Sequence, residues 1–286
     1  MTATPFDYHA PTHLDDALRS LAAPGRLTLP LAGGQSLVPL LTRRDIRPDT
    51  VVDLNGITEL ARTAIGPHEI TVGAMTRLRD LERDEELAAA LPILRRAATL
   101  VAHPHIRARS TLGGSLCHAA VGAELPAVAV ATGARVILRS TRGARSIPAA
   151  RFITGPSTTA RAPDEVVTDI AFPRPGTLHY AFSELCTRGT TGYPVSGVCV
   201  ALETRDGRIT AARVVASGCG PTPLRLPGVE SFLTGRTTTG PHPGLVAQLT
   251  DETVHTAGTR EREYQAEVAG VLLTRTLATW AGKDPR

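Results

Sequence analysis

Leu31-Ala32-Gly33-Gly34-Gln35-Ser36-Leu37 and Thr111-Leu112-Gly113-Gly114-Ser115-Leu116-Cys117-His118 are the two stretches on which the reading of this chain turns. Each sets two glycines and a hydroxyl side chain within or just after an apolar run. Glycine lets the backbone approach a ligand closely, and backbone N–H groups bind anions. A single Gly-Gly pair is ordinarily a plain turn. Two, each followed by a long ordered segment, point to the diphosphate of a dinucleotide.

Composition narrows the classes. The chain has 286 residues, enough for about two domains on the usual length relation. An apolar fraction of 42% and a charged fraction of 20% are those of an ordinary globular protein. Aromatics are 3%, so a surface that stacks many bases is not expected. The net charge is +4. Arg135, Arg139, Arg142, Arg145 and Arg151 lie close together. They read either as a patch for nucleic acid or an acidic partner, or as a solvated hairpin and its flanks. Ile, Val and Pro at strand-like spacing within the run favour the hairpin, so no nucleic-acid partner is expected.

The N-terminal residues show no basic and apolar leader pattern. The most apolar stretch, Leu125 to Leu138, is broken by Pro126, Gly133 and Arg135 and is too short to span a membrane. Cys117, Cys186, Cys199 and Cys219 are scattered, with no C-x-x-C pair, so neither zinc nor an iron–sulfur cluster is expected in this chain. A cytoplasmic location with reduced thiols follows.

Along the chain, Thr12 and Asp15 read as a helix start, with Leu14, Leu18 and Leu21 on one face and Gly25 as the stop. Leu27 to Leu31, Val51 to Leu54 and Ile70 to Ala74 read as strands. Thr76 reads as the cap of a helix through Leu87, with Asp84-Glu85-Glu86 as a solvated face. Leu91 to Ala102 reads as a helix stopped by the loop His103-Pro104-His105. Glu124 to Thr132 reads as a helix behind the second glycine loop. Arg135 to Arg139 is a strand, followed by a turn at Thr141-Arg142-Gly143, and Glu165 to Ile170 is another strand. Pro173-Arg174-Pro175-Gly176 reads as a linker. Val198 to Glu203 and Ile209 to Ala216 flank Asp206-Gly207, a strong hairpin signal. In the last helix Tyr264, Val268, Val271 and Leu272 form the apolar series, which continues to Trp280. The fold class is α+β: a two-lobed domain followed by a smaller α+β lobe with an antiparallel sheet. The expected division is 1–60, 61–175 and 176–286.

With the loops placed, the chain resembles the FAD-binding medium subunit of the molybdenum hydroxylase family, the carbon monoxide dehydrogenase and xanthine dehydrogenase type. The matching residues are Phe6-Asp7-Tyr8 with Pro11, Ala32 to Leu37, and Ile106-Arg107-Ala108-Arg109-Ser110 leading into Thr111 to Leu116. Further on they are Arg188, Gly192, Tyr193-Pro194, Gly220-Pro221-Thr222-Pro223-Leu224-Arg225 and Glu263-Tyr264. The resemblance implies FAD in the cleft of the first two lobes, with both glycine loops at its diphosphate. The implied contacts are Ala32, Gly33, Gly34, Gln35, Ser36 and Leu37, then Thr111, Gly114, Ser115, Cys117 and His118. Glu124 matches an acid that accepts from ribityl or ribose hydroxyls; it reads equally as an acid stabilising a helix N-terminus. Tyr193 matches an aromatic lying on the isoalloxazine; a core or loop tyrosine is the other reading. The resemblance also implies iron–sulfur and molybdopterin subunits as partners, with NAD or oxygen as acceptor. In one place the chain departs from the family pattern His-Ala-Asp-Pro. Here His118-Ala119-Ala120-Val121 removes one carboxylate and one rigid turn beside the flavin.

Other motifs are poor. No G-x-G-x-x-G follows a strand, and there is no Walker loop or G-x-S-x-G elbow. His103 and His105 lack a third ligand nearby in sequence, so no metal is assigned, and no catalytic side chain is singled out. Two competing functions stay open at this stage: a stand-alone FAD oxidase or dehydrogenase for a small molecule, and a binding module that has lost its flavin.

Overall fold

A computed structural model of the chain describes residues 3–187, 192–238, 242–254 and 260–280. The first lobe runs β1 (Asp7–His9), α1 (Leu14–Leu21), β2 (Thr28–Leu31), α2 (Leu37–Arg43) and β3 (Thr50–Asp53). Its three strands are parallel in the order β1-β3-β2. α1 lays Leu14, Ala17, Leu18 and Leu21 on this sheet. His13, not Thr12, stands at its N-cap and makes no side-chain bond there; Asp15 and Asp16 in the first turn favour the helix through its dipole.

The second lobe begins with β4 (Thr63–Ile65) and β5 (Glu69–Gly73). A helical run follows: α3 (Leu78–Arg83), α4 (Glu85–Ala90), α5 (Pro92–Leu100), α6 (Pro104–Arg107), α7 (Leu112–His118) and α8 (Glu124–Thr132). It closes with β6 (Arg135–Ser140), β7 (Gly143–Pro148), α9 (Ala149–Phe152), the small pair β8 (Ile153–Gly155) and β9 (Thr158–Thr159), and β10 (Val166–Pro173). Five of these strands form an antiparallel sheet in the order β4-β5-β10-β6-β7.

The third lobe is a meander of β11 (His179–Cys186), β12 (Pro194–Arg205), β13 (Arg208–Ser217) and β14 (Leu224–Arg225). Three helices cover it: α10 (Pro227–Leu233), α11 (Leu245–Val254) and α12 (Arg260–Trp280). Asp206 and Gly207 take positive φ values of 51° and 70° at the β12–β13 hairpin, as a two-residue turn requires.

Helix α8 joins the last two lobes. All nine of its residues are buried, which is why its sequence lacks an amphipathic period. It packs between the second lobe and strands β12 and β13, and Phe182, Cys199 and Val215 of the third lobe complete the same core. The Arg213 guanidinium donates to the Ala131 carbonyl at the end of α8, 2.8 Å away. Each fully buried Leu, Ile or Phe of such a core contributes roughly 1.5–3 kcal/mol.

Five sequence expectations change. The helix expected from Thr76 to Leu87 is two helices, because the Asp84 carboxylate caps α4 by accepting from Leu87 N–H at 2.9 Å. Asp84 is therefore a cap and not merely part of a solvated face, while Thr76 donates to the Ala61 carbonyl and caps nothing. The His103-Pro104-His105 loop is the start of α6, with Pro104 at its first turn. The second glycine pair lies inside α7 and not in a loop. On α12, Tyr264 and Val271 face outward; the buried face is Ala266, Ala269, Leu272, Leu273, Leu277 and Trp280. The hairpin favoured for the arginine cluster is present: Arg135 pairs with Glu69, Arg139 with Asp15, Arg142 with Asp164 and Arg145 with the buried Glu165.

Candidate cofactor site at the glycine segments

Strand β2 ends at Leu31 and delivers the chain into Ala32 to Ser36, from which α2 starts. Gly34 sits at φ +75°, a conformation that side chains rarely adopt. Val38 N–H reaches back to the Gly34 carbonyl, and the Gln35 side chain donates to the Gly33 carbonyl. The backbone N–H groups of Gly33, Gly34, Gln35, Ser36 and Leu37 donate to no other group of the described residues. Five successive N–H groups without a protein acceptor at a helix start are donors of the kind that an anion satisfies.

The second segment is built differently. Thr111 caps α7, its hydroxyl accepting from Gly114 N–H at 3.1 Å. Leu112 N–H donates to the Thr76 carbonyl, Gly113 N–H to the Ala74 carbonyl and Ser115 N–H to the Thr111 carbonyl. Each first-turn donor of α7 thus has a partner within the chain. This segment offers a smooth backbone face rather than a row of free donors. It lies close against the turn after β5, where a Cβ on Gly113 would come within 2.5 Å of the Ala74 Cβ.

The two segments meet. A Cβ on Gly33 would lie 2.4 Å from the Arg109 carbonyl oxygen and 2.8 Å from the Ser110 Cα. A Cβ on Gly114 would lie 3.7 Å from that of Ala32. The two segments thus approach backbone to backbone at Gly33 and Arg109, and small residue to small residue at Ala32 and Gly114.

Past α7 the chain turns at Ala119 and Gly122, with φ values of 45° and 86°. His118 is exposed at the end of α7, and burial of part of its ring holds its pKa down. Burial pushes the Cys117 thiol up to about 11. Gly122 rests on the Pro194 carbonyl, and this places the segment that departs from the family pattern beside Tyr193. Tyr193 is 86% exposed, so the core tyrosine reading is overturned. Arg188 lies outside the described residues.

Glu124 is only 6% exposed and starts α8. Burial, then the nearby Glu184 carboxylate, raise its pKa to about 7. Glu184 itself is raised by burial and accepts from the Cys186 thiol at 3.3 Å; Cys186 is pushed up to about 12. One carboxylate oxygen of Glu184 is buried without a partner. Sequence reasoning singled out Glu124 but neither Glu184 nor Cys186, which neighbour it only through the fold.

Two further residues were missed, Asn55 and Arg77. The Asn55 amide donates to the Ala32 carbonyl at 3.0 Å, and Arg77 donates both to the Asn55 side chain and to the Arg109 carbonyl. The only sequence signal was the turn-forming Asp53-Leu54-Asn55-Gly56, where the Asp53 carboxylate accepts from Asn55 N–H.

His103 and His105 stack with ring centroids 5.5 Å apart. No group of three metal-ligating side chains occurs among the described residues, and none of their helices is long and apolar enough to cross a membrane.

Comparison with known proteins identifies the family. Residues 4–175 match the model of the FAD binding domain in molybdopterin dehydrogenase, and residues 181–280 that of the CO dehydrogenase flavoprotein C-terminal domain. The chain is 34% identical to caffeine dehydrogenase subunit beta of Pseudomonas sp. (strain CBB1), over 99% of this chain and 97% of that protein. It is 33% identical to the carbon monoxide dehydrogenase medium chain of Afipia carboxidovorans, over 95% of each. Among solved structures it superposes on a chain of quinoline 2-oxidoreductase from Pseudomonas putida 86 with a TM-score of 0.91, at 29% identity and 99% coverage of both. A chain of carbon monoxide dehydrogenase from Hydrogenophaga pseudoflava gives 0.89 at 30% identity, covering 98% of this chain and 99% of that one. Two family models over nearly the whole chain, and a fold shared over its length with relatives above 30% identity, place the chain in the family of FAD-binding medium subunits of molybdenum hydroxylases.

Proposed function

We propose that this chain is the flavin subunit of a cytoplasmic, three-component hydroxylase, organised as lobes 1–60, 61–175 and 176–286. Its other components are an iron–sulfur subunit and a molybdopterin subunit. When bound, FAD supplies the electron-transfer chemistry between the iron–sulfur partner and an external acceptor, NAD or oxygen. The chain's own residues bind and orient. The N–H groups of Gly33 to Leu37 receive the diphosphate, and Thr111, Gly114, Ser115, Cys117 and His118 form the opposite wall. Ser36 and Ser115 add hydroxyl donors. Glu124 accepts from a ribityl or ribose hydroxyl, which its burial without a side-chain partner favours. Tyr193, exposed beside Gly122, covers the ring and keeps water from one face.

The observation that carries this reading is the row of five open N–H groups set against the Arg109 to Gly114 backbone. The chain is purified, denatured and its supernatant analysed by mass spectrometry. FAD is expected, since a row of donors this long suits two phosphates. FMN alone, or no flavin after reconstitution, overturns the assignment.

A further inference from the structure

Asn55 and Arg77 stand at the seam of the first two lobes, and neither is explained by packing. Asn55 is exposed after β3; Arg77 is half-buried before α3. Their hydrogen bonds close a ring through both glycine segments. The Asn55 amide holds the Ala32 carbonyl at 3.0 Å. The Arg77 guanidinium holds the Asn55 side-chain oxygen with one nitrogen and the Arg109 carbonyl with another. The Arg109 carbonyl is the atom against which Gly33 rests. Gly33 follows Ala32 in the chain, so the circuit returns to its start.

The ring is itself anchored on both sides. Asp53 accepts from the Asn55 backbone N–H at 2.9 Å and from its amide, and Tyr8 donates to the other Asp53 oxygen. Arg77 pairs across an isolated bridge with Thr111, the cap of α7. A planar guanidinium with several fixed donors suits a bridge between two acceptors; a single ammonium does not. The Arg77 pKa is held down by burial and then by the Arg109 guanidinium, with the Asp80 and Asp53 carboxylates acting the other way.

We propose that Asn55 and Arg77 are positioning residues: together they fix the spacing of the two glycine segments, and so select a ligand whose diphosphate spans both over one with a single phosphate. This rests on the FAD assignment of the groove. A single phosphate meets only the N–H row of the first segment, whereas a diphosphate must also seat against the backbone face of the second, so the spacing matters less to the single phosphate.

The test uses the full chain stripped of flavin. FAD and FMN affinities are measured by fluorescence titration, and the thermal midpoint of the flavin-free protein by circular dichroism. The variants are Arg77→Met, Asn55→Ala, the double variant, and Asn55→Asp. The last keeps an acceptor for Arg77 but loses the donor to Ala32, and it decides the matter if the others fold poorly. Loss of a charge-assisted hydrogen bond corresponds to roughly a tenfold to hundredfold fall in FAD affinity. The expected result is a fall of that size for FAD, a clearly smaller one for FMN, and a thermal midpoint near that of the parent. The double variant should be no worse than the poorer single one, because the two residues act as a unit. FAD affinity unchanged in the variants overturns the proposal. Equal weakening of FAD and FMN with a lowered midpoint also overturns it, since a purely structural role gives that pattern. A parent chain that binds no FAD defeats the underlying assignment instead.

Discussion

The carbonyl oxygen of Arg109 occupies the space that a side chain on Gly33 would need, 2.4 Å from the Cβ position. The obstacle is backbone and cannot rotate away, so any side chain there must part the two segments. At the Gly114 position the one tight contact is the Thr111 hydroxyl, at 2.8 Å, while the Ala32 Cβ lies at an ordinary 3.7 Å. That group can turn aside, at the loss of the α7 cap, which costs about 1 kcal/mol. Gly33→Ala should therefore abolish FAD retention during purification, while Gly114→Ala keeps measurable binding and loses mainly stability. Equal flavin content in the two variants, read from the visible spectrum, contradicts this order.

Glu124 gives a prediction with a sign in pH. Its pKa is raised from 4.5 to about 7 in the fold. Below about pH 4 the carboxyl is protonated in both folded and unfolded chains, and its burial costs little. Between 4.5 and 7 the unfolded chain loses the proton first, so stability falls as pH rises and the loss is complete above 7. Glu124→Gln should thus stabilise the flavin-free protein at pH 8 by roughly 1–3 kcal/mol and change little at pH 4. With FAD restored, the same variant should bind more weakly at pH 8, since a carboxylate accepts a hydroxyl hydrogen bond better than an amide. Urea unfolding at the two pH values checks the first part and flavin titration the second. A variant no more stable than the parent at pH 8 refutes the buried-acid account.

The extent to which these features could be read from sequence differs by type of signal. Helix α8 and the Asp206-Gly207 hairpin were legible because a long buried run and a turn dipeptide are local. The break at Asp84 was not, because a capping side chain inside an apolar pattern looks like a surface acid. Helix α7 was hidden by its glycines, poor helix formers held in place here by the Thr111 cap and by contacts with Ala74. On α12 Tyr264 and Val271 misled, since both face out, while the small Ala266 and Ala269 pack beside Leu272, Leu273, Leu277 and Trp280. The glycines of the groove announced themselves. Asn55 and Arg77 did not, since they are polar, aperiodic and joined only by the fold.

Tyr193 makes a prediction that separates binding from folding. Its ring is 86% exposed, so it contributes little to the flavin-free fold. Tyr193→Ala should leave the thermal midpoint of that form unchanged. If the ring covers the isoalloxazine, FAD binding should weaken by about 1–3 kcal/mol, taking base–aromatic stacking as the analogue. The fluorescence of the bound flavin should rise as the quenching ring is lost. Unaltered affinity and emission place the tyrosine away from the flavin.

The last prediction concerns where the electrons come from. Cys117 lies on α7, Cys186 on β11, Cys199 on β12 and Cys219 beyond β13. Cys199 and Cys219 are buried, and burial raises both thiols, which disfavours the thiolate that a metal or a substrate would need. The isolated, FAD-loaded chain should accordingly be bleached by dithionite, and reoxidised by the acceptor of the complex, but not by the organic substrate of that complex. Adding the co-purified iron–sulfur and molybdopterin subunits should make the flavin reducible by that substrate. Anaerobic titration of the single chain and of the assembled complex, followed at the flavin absorption band, decides the matter. Full bleaching of the single chain by a small organic metabolite would show that it acts alone.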